Sequence, residues 1–275
     1  MVKKENIIIG IIIIIMISLS VYLYKNKKDY SDNLKIYFFN AGKADAILIS
    51  KDNKYMMIDT GEEDLSNEIL TYFKNNNIKR LEYLIITHFD KDHVGSASSI
   101  IDNIEIGNIY QSNYPKESDY YTNYLNSLNS KNITPITVSN DLEISLSDLK
   151  ININGPDIIY DSNESNNSSL IVSMIYKNNS FLFMGDSENQ RIKDFVETNN
   201  NTYDFIKIPY HGNYLKRLDD LLENTGSKYA VCTCSNSEGC DSKTLELLNN
   251  YNIKYYLTRN GSITLFSDGE SITFK

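Results

Sequence analysis

The stretch THFDKDHVG, residues 87–95, decides the fold of this chain. It follows the apolar run LEYLII, which is typical of a buried strand that ends where the polar residues begin. An extended strand end places His88, Asp90 and Asp92 on one side, and the turn that follows brings in His93. Imidazole and carboxylate groups are ligands that Zn²⁺, Mn²⁺ and Fe²⁺ accept. The stretch therefore predicts a metal loop with these four ligands, and a solvated surface loop is the weaker alternative.

Three further turns follow apolar strands in the same way. Asp186 ends the strand FLFM, His211 follows IKIPY, and Asp59 ends YMMI. The chain contains only three histidines, and each comes just past an apolar strand. That agreement predicts that Asp186 and His211 join the metal loop. Asp59 either orients a ligand from behind or closes a simple turn, and turn chemistry is the alternative for all three.

The composition is that of a globular protein. The 275 residues are 41% hydrophobic and 23% charged, which excludes wholesale disorder. The net charge of −9 excludes a protein that holds nucleic acid by bulk electrostatics. Any contact with nucleic acid must therefore be local or mediated by metal ions.

The amino terminus predicts a membrane anchor. Residues 7–24 carry no charge and would span roughly 27 Å as a helix, close to the hydrocarbon thickness of a bilayer. A cleaved signal peptide is the alternative, but no A-x-A-like cleavage site follows the run. We expect a short tail (1–6), the anchor, a linker (25–33) and one domain (34–275). We expect a single-pass protein of a bacterial cell membrane. Positive charge flanks both ends of the run and does not decide the orientation, but the very short tail before it favours a domain outside the cell.

The rest of the chain alternates β-rich runs with helical runs, which predicts a layered α/β (α+β) domain. The predicted strands cover residues 34–39, 46–50, 55–59, 81–87, 104–110, 150–154, 169–176, 180–184, 203–209, 228–232, 253–258, 262–266 and 271–274. The predicted helices cover residues 66–76, 120–130, 188–198, 216–224 and 242–250. Residues 155–168 are rich in Asn, Ser and Asp and predict a long loop.

The order of these motifs resembles the metallo-β-lactamase fold. More narrowly, it resembles the extracytoplasmic hydrolase domain of competence protein ComEC and its stand-alone relatives. The resemblance covers roughly residues 34–275 and is carried by AGKADA (41–46), DTG (59–61), HFDKDHVG (88–95), NNSSL (166–170), MGD (184–186), PYHG (209–212) and TRNGSI (258–263).

The resemblance implies a four-layer αββα sandwich with two divalent ions at one edge of its strands. His88 and Asp90 would hold one ion, and Asp186 would bridge to the other. The ligands of that second ion would be Asp92, His93 and His211. With Asp90 and Asp92 as catalytic carboxylates, a metal-activated water would attack a phosphorus or carbonyl centre.

Two departures from the commonest members of the fold bear on the metal. Asp90 stands where those members have a histidine, and Asn167 to Ser169 stand where they have another. Both changes replace nitrogen ligands by oxygen, which favours Zn²⁺ less and Mn²⁺ or Mg²⁺ more. The predicted residues around the ligands, as support or substrate contacts, are Asp45, Asp59, Asn167, Ser169 and Tyr210. Tyr210 replaces the first histidine of a usual pair, and its phenol either bonds a substrate oxygen or packs.

Three cysteines lie within nine residues: Cys232, Cys234 and Cys240. Cys240 falls near a point where ComEC-like relatives often have a histidine, so it is a candidate soft ligand that would favour Zn²⁺. One disulfide with a free thiol, or three incidental thiols, are the alternatives.

Together these features predict a metal-dependent hydrolase that cleaves phosphodiester bonds, with single-stranded DNA outside the cell as a candidate substrate. The alternative is a non-catalytic surface or binding module on the same fold, or an accessory protein of DNA uptake. The number of bound ions separates the two readings. No protein partner can be inferred from the sequence.

Overall fold

The computed structural model of the protein describes residues 13, 15, 16, 18, 33–156, 160 and 165–275. Apart from the few residues just named, the predicted anchor (7–24) and linker (25–33) lie outside the described residues, as does part of the predicted loop (155–168). Among the described residues, no helix has the length and apolar character needed to cross a bilayer.

Between residues 33 and 275, the described part of the chain forms fifteen strands and seven α-helices. The strands are β1 (Leu34–Phe38), β2 (Ala46–Lys51), β3 (Lys54–Thr60), β4 (Arg80–Ile86), β5 (Glu105–Ser112), β6 (Ile136–Val138), β7 (Leu142–Leu146), β8 (Leu149–Asn154), β9 (Ile171–Tyr176), β10 (Asn179–Phe183), β11 (Phe205–Lys207), β12 (Tyr229–Cys232), β13 (Lys254–Leu257), β14 (Ile263–Ser267) and β15 (Ile272–Phe274). The helices are α1 (Ser66–Asn75), α2 (Lys91–Val94), α3 (Ala97–Asn103), α4 (Asp119–Lys131), α5 (Asn189–Thr198), α6 (Leu218–Thr225) and α7 (Ser242–Asn250).

The strands make two mixed sheets. The first has the order β15-β14-β1-β2-β3-β4-β5-β6, and the second has the order β13-β12-β11-β10-β9-β8-β7. Strands β3 to β6 are parallel in the first sheet, and β10 to β13 are parallel in the second. The carboxyl ends of neighbouring parallel strands meet at one edge of a sheet, so each sheet has an edge where several chain turns come together.

Three apolar layers hold the four structural layers together. Period-two alternation on β1 turns Leu34, Ile36 and Phe38 toward the opposite sheet, whereas Tyr37 packs on the helical side. Helices α1 to α4 cover the outer face of the first sheet, and α5 to α7 cover the second. The predicted αββα sandwich is therefore confirmed.

Every predicted strand and helix is confirmed, but the sequence analysis missed several elements. Strand β6 has three residues, and β7 alternates between partly buried and exposed positions at the edge of its sheet, so neither has a long apolar run. The short helices α2 and α3 were also missed. Because α2 begins directly after Asp90, the prediction that Asp92 lies on an extended segment is wrong.

Gly95 explains why the chain can pass so close to its neighbours after α2. A Cβ atom at this position would lie 2.4 Å from the carbonyl oxygen of Lys91 and 2.7 Å from the backbone nitrogen of Glu63. Its φ of −54° is ordinary for any residue, so the need is for space rather than for an unusual backbone conformation.

The aromatic centre of the sandwich gives a stability prediction. Phe205 is fully buried between the sheets, with ring centroids 5.7 Å from those of both Phe38 and Phe183. Phe205→Ala should lower the free energy of unfolding by about 3–5 kcal/mol, because the cavity it leaves is rigidly walled. Urea unfolding measures this change. Ile175→Ala, at a residue 52% exposed on β9, is the matched control and should change stability by only about 0.5 kcal/mol. Equal losses in both variants would contradict this packing.

Candidate metal centre

Turns from both sheets converge on one buried cluster. The turn after β4 and helix α2 supply Asp92 and His93, the turn after β10 supplies Asp186, and the turn after β11 supplies His211. One ligand atom from each of these residues lies within 4.8 Å of every other. Four of the six predicted metal ligands are thus brought together.

The spacing of the ligand atoms is that of a coordination shell. His93 Nε2 and His211 Nε2 lie 3.3 Å apart, and His211 Nε2 lies 3.3 Å from Asp92 Oδ2. Asp186 Oδ1 lies 3.3 Å from His93 Nε2, and Asp186 Oδ2 lies 3.1 Å from His211 Nε2. Ligand atoms at about 2.0–2.1 Å from a tetrahedral ion are roughly 3.3–3.4 Å from one another. The residues present therefore fit a divalent ion.

Asp59 holds His93 in the orientation that the cluster needs. Its Oδ2 lies 2.8 Å from His93 Nδ1 and also accepts a hydrogen bond of 2.7 Å from the hydroxyl of Thr87. Its Oδ1 accepts a hydrogen bond from the backbone N–H of Thr87. Because Nδ1 donates to Asp59, Nε2 faces the cluster, as a ligand nitrogen must. The predicted orienting contact of Asp59 is the one the structure has.

A strained turn presents His211. Tyr210 and His211 have φ values of 49° and 54°, in the left-handed region that costs non-glycine residues about 1–3 kcal/mol each. Backbone hydrogen bonds hold the turn: Tyr210 N–H donates to the Gly185 carbonyl, and Cys240 N–H donates to the His211 carbonyl. The His211 ring is fully buried as a result.

Behind His211 lies a second carboxylate, Asp45. Thr233 Oγ1 lies 3.1 Å from His211 Nδ1 and donates a hydrogen bond of 2.5 Å to Asp45 Oδ1. Asp45 also pairs with the ammonium of Lys207. The backbone N–H of Asp45 donates to the carbonyl of Asp92, which ties this turn to the metal loop.

Sequence reasoning missed Lys207 and Thr233. Lys207 is fully buried, and its Nζ lies 3.8 Å from Asp186 Oδ1. The signal was a lysine inside the otherwise apolar strand IKIP, since a buried cation needs a carboxylate partner. Thr233 follows an apolar strand, but a threonine there carries no distinguishing pattern.

His88 and Asp90 lie to one side of the four-residue cluster. His88 Nε2 is buried and has no hydrogen-bond partner among the described residues. A buried imidazole nitrogen without a partner is suited to binding a cation. Asp90 lies 3.9 Å from His88 Nε2, but its Oδ1 accepts hydrogen bonds from Lys116 and Ser165.

Asn167 and Ser169 support neighbouring groups. Asn167 Oδ1 accepts a hydrogen bond from the backbone N–H of Arg191. Ser169 Oγ lies 3.3 Å from His88 Nδ1 and accepts from the backbone N–H of Asp186. Ser169 is thus placed beside two predicted ligands.

Cys240 is not placed among the ligands of the cluster. All three cysteines are free and buried. Hydrogen bonding among the thiols, together with burial, raises the pKa of Cys234 and of Cys240. Tyr210 is half-buried, and its ring lies under the Nζ of Lys43 at 5.5 Å.

The three histidines carry different charges in the metal-free chain. Burial, helped by the neighbouring His93, lowers the pKa of His88 to about 4. Burial alone would also lower the pKa of His211, but the carboxylates of Asp186 and Asp45 outweigh it and raise the value to about 10. The pKa of His93 is likewise raised well above its usual range, because Asp186 and Asp59 outweigh the effect of burial.

The same contacts lower the pKa values of the carboxyl groups of Asp186 and Asp92. Burial alone would raise the pKa of Asp186, but His211 and His93 hold it well below its usual range. The pKa of Asp92 is lowered against the effect of burial by the hydrogen bond to His211. These carboxylates are therefore ionised ligands at neutral pH.

A model of one protein family, described as the metallo-beta-lactamase superfamily, matches residues 40–234. The chain belongs to that superfamily. ComE operon protein 3 of Bacillus subtilis (strain 168) is 22% identical over 200 residues, which are 71% of this chain and 26% of that protein. Recombination protein 2 of Haemophilus influenzae is 26% identical over 226 residues, which are 79% of this chain and 26% of that protein. These matches confirm the resemblance to the ComEC family.

The chain spans about a quarter (26%) of the length of either relative. Among solved structures, the metallo-beta-lactamase fold protein YhfI from Bacillus subtilis is similar to the whole domain. It covers 89% of this chain and 100% of its own, with a TM-score of 0.57 at 10% sequence identity. At that identity, the likeness concerns the superfamily fold alone.

The charge states of the histidines predict a release of protons when metal binds. His93 and His211 hold protons at neutral pH and must lose them to become ligands, so one bound ion should release about two protons. Apparent metal affinity should therefore rise with pH up to about 10. Titration calorimetry at pH 7.5, in two buffers of different ionisation enthalpy, counts the protons. His211→Asn should reduce the release by about one. An unchanged release in that variant would contradict the assignment.

Proposed function

We propose that this chain is a metal-dependent phosphodiesterase that cleaves its substrate with a metal-activated water. The observation that carries the proposal is the buried cluster of Asp92, His93, Asp186 and His211 at the spacing of a tetrahedral shell. In the proposed centre, His88 and Asp90 would hold a second ion together with Asp186. The buried and unpartnered atom His88 Nε2 supports this second position.

The donor set suits Mn²⁺ or Zn²⁺, and Mg²⁺ to a lesser degree. Three imidazoles and three carboxylates make a mixed nitrogen and oxygen site, which favours Zn²⁺ less than an all-histidine site does. When bound, a divalent ion lowers the pKa of a water molecule and stabilises charge that develops on phosphoryl oxygens. The protein holds both orienting carboxylates, Asp59 and Asp45, on the far side of the imidazoles.

The candidate metal centre is open to solvent on one side. The side chains of Asp90 and Asp92 are 26% and 13% exposed, whereas His93, His211 and Asp186 are almost fully buried. A substrate must therefore approach from the side of Asp90 and Asp92.

Two lysines stand on that open side. Lys116 Nζ donates to Asp90, and Lys43 Nζ lies 3.9 Å from Asp92 Oδ2. Both side chains are partly exposed. In a chain of net charge −9, cations at the mouth of the site supply the local attraction that a phosphodiester requires. Lys43 also lies over the ring of Tyr210, so that ring helps to keep the ammonium at the opening.

We propose single-stranded DNA as the substrate to test first. One relative carries the name Recombination protein 2, and recombination is a process of DNA. The acidic balance of the chain limits any contact with DNA to the neighbourhood of the metal centre. A small phosphodiester is the other member of the same substrate class.

A second candidate function is a non-catalytic binding module, or an accessory protein of DNA uptake, on the same fold. Two observations favour it: the side-chain oxygen of Asn167 bonds the backbone of Arg191, and Asp90 is engaged by Lys116. A centre that binds one ion or none in solution would support this role.

We also propose that residues 7–24 anchor the domain to a bacterial membrane, with the domain outside. The uncharged run supports this assignment. Protease added to intact cells should then digest the domain, and full protection would contradict the orientation.

The test of the proposed activity uses the full chain with Mn²⁺, Zn²⁺ or Mg²⁺. Cleavage of single-stranded DNA and of bis(p-nitrophenyl) phosphate should depend on one of these ions. Asp92→Asn should lower kcat at least about 100-fold, because it removes a charged ligand of the cluster. Asp220→Asn, at an exposed aspartate paired with Arg217, is the matched control and should retain full activity.

The same experiment separates the two functions. Two bound ions per chain without cleavage of either substrate would indicate a hydrolase that acts on a different substrate. The absence of both bound ions and cleavage would exclude the phosphodiesterase activity and support the binding module.

The lysines at the opening give a separate prediction. Lys43→Gln should raise KM for the phosphodiester about 3–10-fold with little change in kcat, because it removes a charged contact made before the reaction. The difference from wild type should shrink as salt is added. Lys54→Gln is the control. It makes the same charge change at the start of β3, the end of that strand opposite to Asp59. A normal KM in Lys43→Gln would exclude Lys43 from substrate binding.

A further inference from the structure

Lys207 is a buried cation that the proposed reaction does not use. It ends β11, is fully buried, and pairs with Asp45. Its Nζ also donates a hydrogen bond of 3.1 Å to the carbonyl of Gly185, the residue directly before Asp186. One ammonium thus joins the turn that carries Asp45 to the turn that carries Asp186.

Asp45 continues this connection to His211. The hydroxyl of Thr233 has one proton, which it donates to Asp45 Oδ1. The hydroxyl oxygen is then free to accept from His211 Nδ1, 3.1 Å away. With Nδ1 as the donor, Nε2 faces Asp92 and Asp186 at 3.3 and 3.1 Å. The chain of contacts runs from Lys207 through Asp45 and Thr233 to His211.

We propose that Lys207 is a positioning residue of the metal centre, which fixes His211 through Asp45 and Thr233 and fixes Asp186 through the carbonyl of Gly185. The inference rests on the metal-binding part of the proposed function and not on the substrate. An ammonium group cannot itself be a metal ligand, so the effect of Lys207 is on how tightly the ligands hold metal.

A purely structural role would not require this arrangement. Buried ion pairs stabilise proteins little, and apolar residues of similar volume often replace them without loss. Lys51 offers the comparison: it is 5% exposed and pairs with Asp52 and Asp148 at the opposite end of β2 from Asp45. Lys207 differs because both groups that it binds lead directly to predicted metal ligands.

The test replaces both members of the ion pair. Lys207→Met alone leaves the carboxylate of Asp45 buried without its cation and is expected to destabilise the domain strongly. The double variant Lys207→Met/Asp45→Asn removes both charges and keeps an oxygen that can accept from Thr233. Thermal unfolding of the full chain without metal measures stability, and competition with a chromophoric chelator measures Zn²⁺ affinity.

We expect stability and metal affinity to separate. The double variant should unfold near the wild-type temperature, yet bind Zn²⁺ about 10–100-fold more weakly, as is typical when a group that orients a ligand is lost. Lys51→Met should keep wild-type affinity, whatever its stability.

A spectroscopic measurement keeps the test decisive. The chain has three histidines, so ¹⁵N-histidine labelling gives three ring systems in the Zn²⁺-loaded protein. The double variant should change the ring nitrogen shifts of His211, while those of His93, which Asp59 holds, stay the same.

Three outcomes would overturn the inference. Recovery of both stability and Zn²⁺ affinity in the double variant would make Lys207 a structural counter-ion only. Unchanged His211 shifts would exclude the connection through Thr233. A wild-type chain that binds no Zn²⁺, Mn²⁺ or Mg²⁺ would overturn the proposed function and the inference together.

Discussion

The concentration of buried carboxylates at one end of the sandwich is the constraint on which the rest of the site depends. Asp45, Asp59 and Asp186 are almost fully buried within one network, and Asp92 lies at its opening. Buried anions so close together repel one another unless cations lie between them. In the metal-free chain, Lys207 and the protonated rings of His93 and His211 supply that positive charge. A divalent ion bound at this cluster would therefore compete with the ring protons for the same carboxylates, whereas Lys207 would stay in place.

The fold accommodates this concentration of charge because different strands and turns hold the charged groups. The apolar layers on both faces of each sheet fix the strands, and the strand ends carry the polar groups. Asp59 comes from the first sheet, and Asp186 and His211 come from turns of the second. No single turn has to hold more than two of the clustered ligands. The backbone strain at His211 is tolerated because hydrogen bonds from Cys240 and to Gly185 surround that turn.

The sequence predicted most of the fold and most of the side chains that the fold brings together, because both leave local patterns. Period-two and helical periodicity identified the long elements, and the dense motif at residues 87–95 indicated the candidate metal loop. The short edge strands β6 and β7 lack such periodicity. Lys207 and Thr233 were missed for another reason: their importance comes from contacts with Asp45, which lies far away in sequence. Similarly, Asp90 was expected to face a metal ion, and only the fold shows that Lys116 and Ser165 reach it.

The buried cysteines have a practical consequence. Cys232, Cys234 and Cys240 lie in the apolar layer between the second sheet and its helices, directly behind the turn that carries His211. Because the raised pKa values of Cys234 and Cys240 keep those thiols protonated, they are poor nucleophiles while the domain is folded. An alkylating reagent can reach them only when this layer opens. The rate of their alkylation therefore measures how often the protein opens behind the candidate metal centre, without any introduced cysteine.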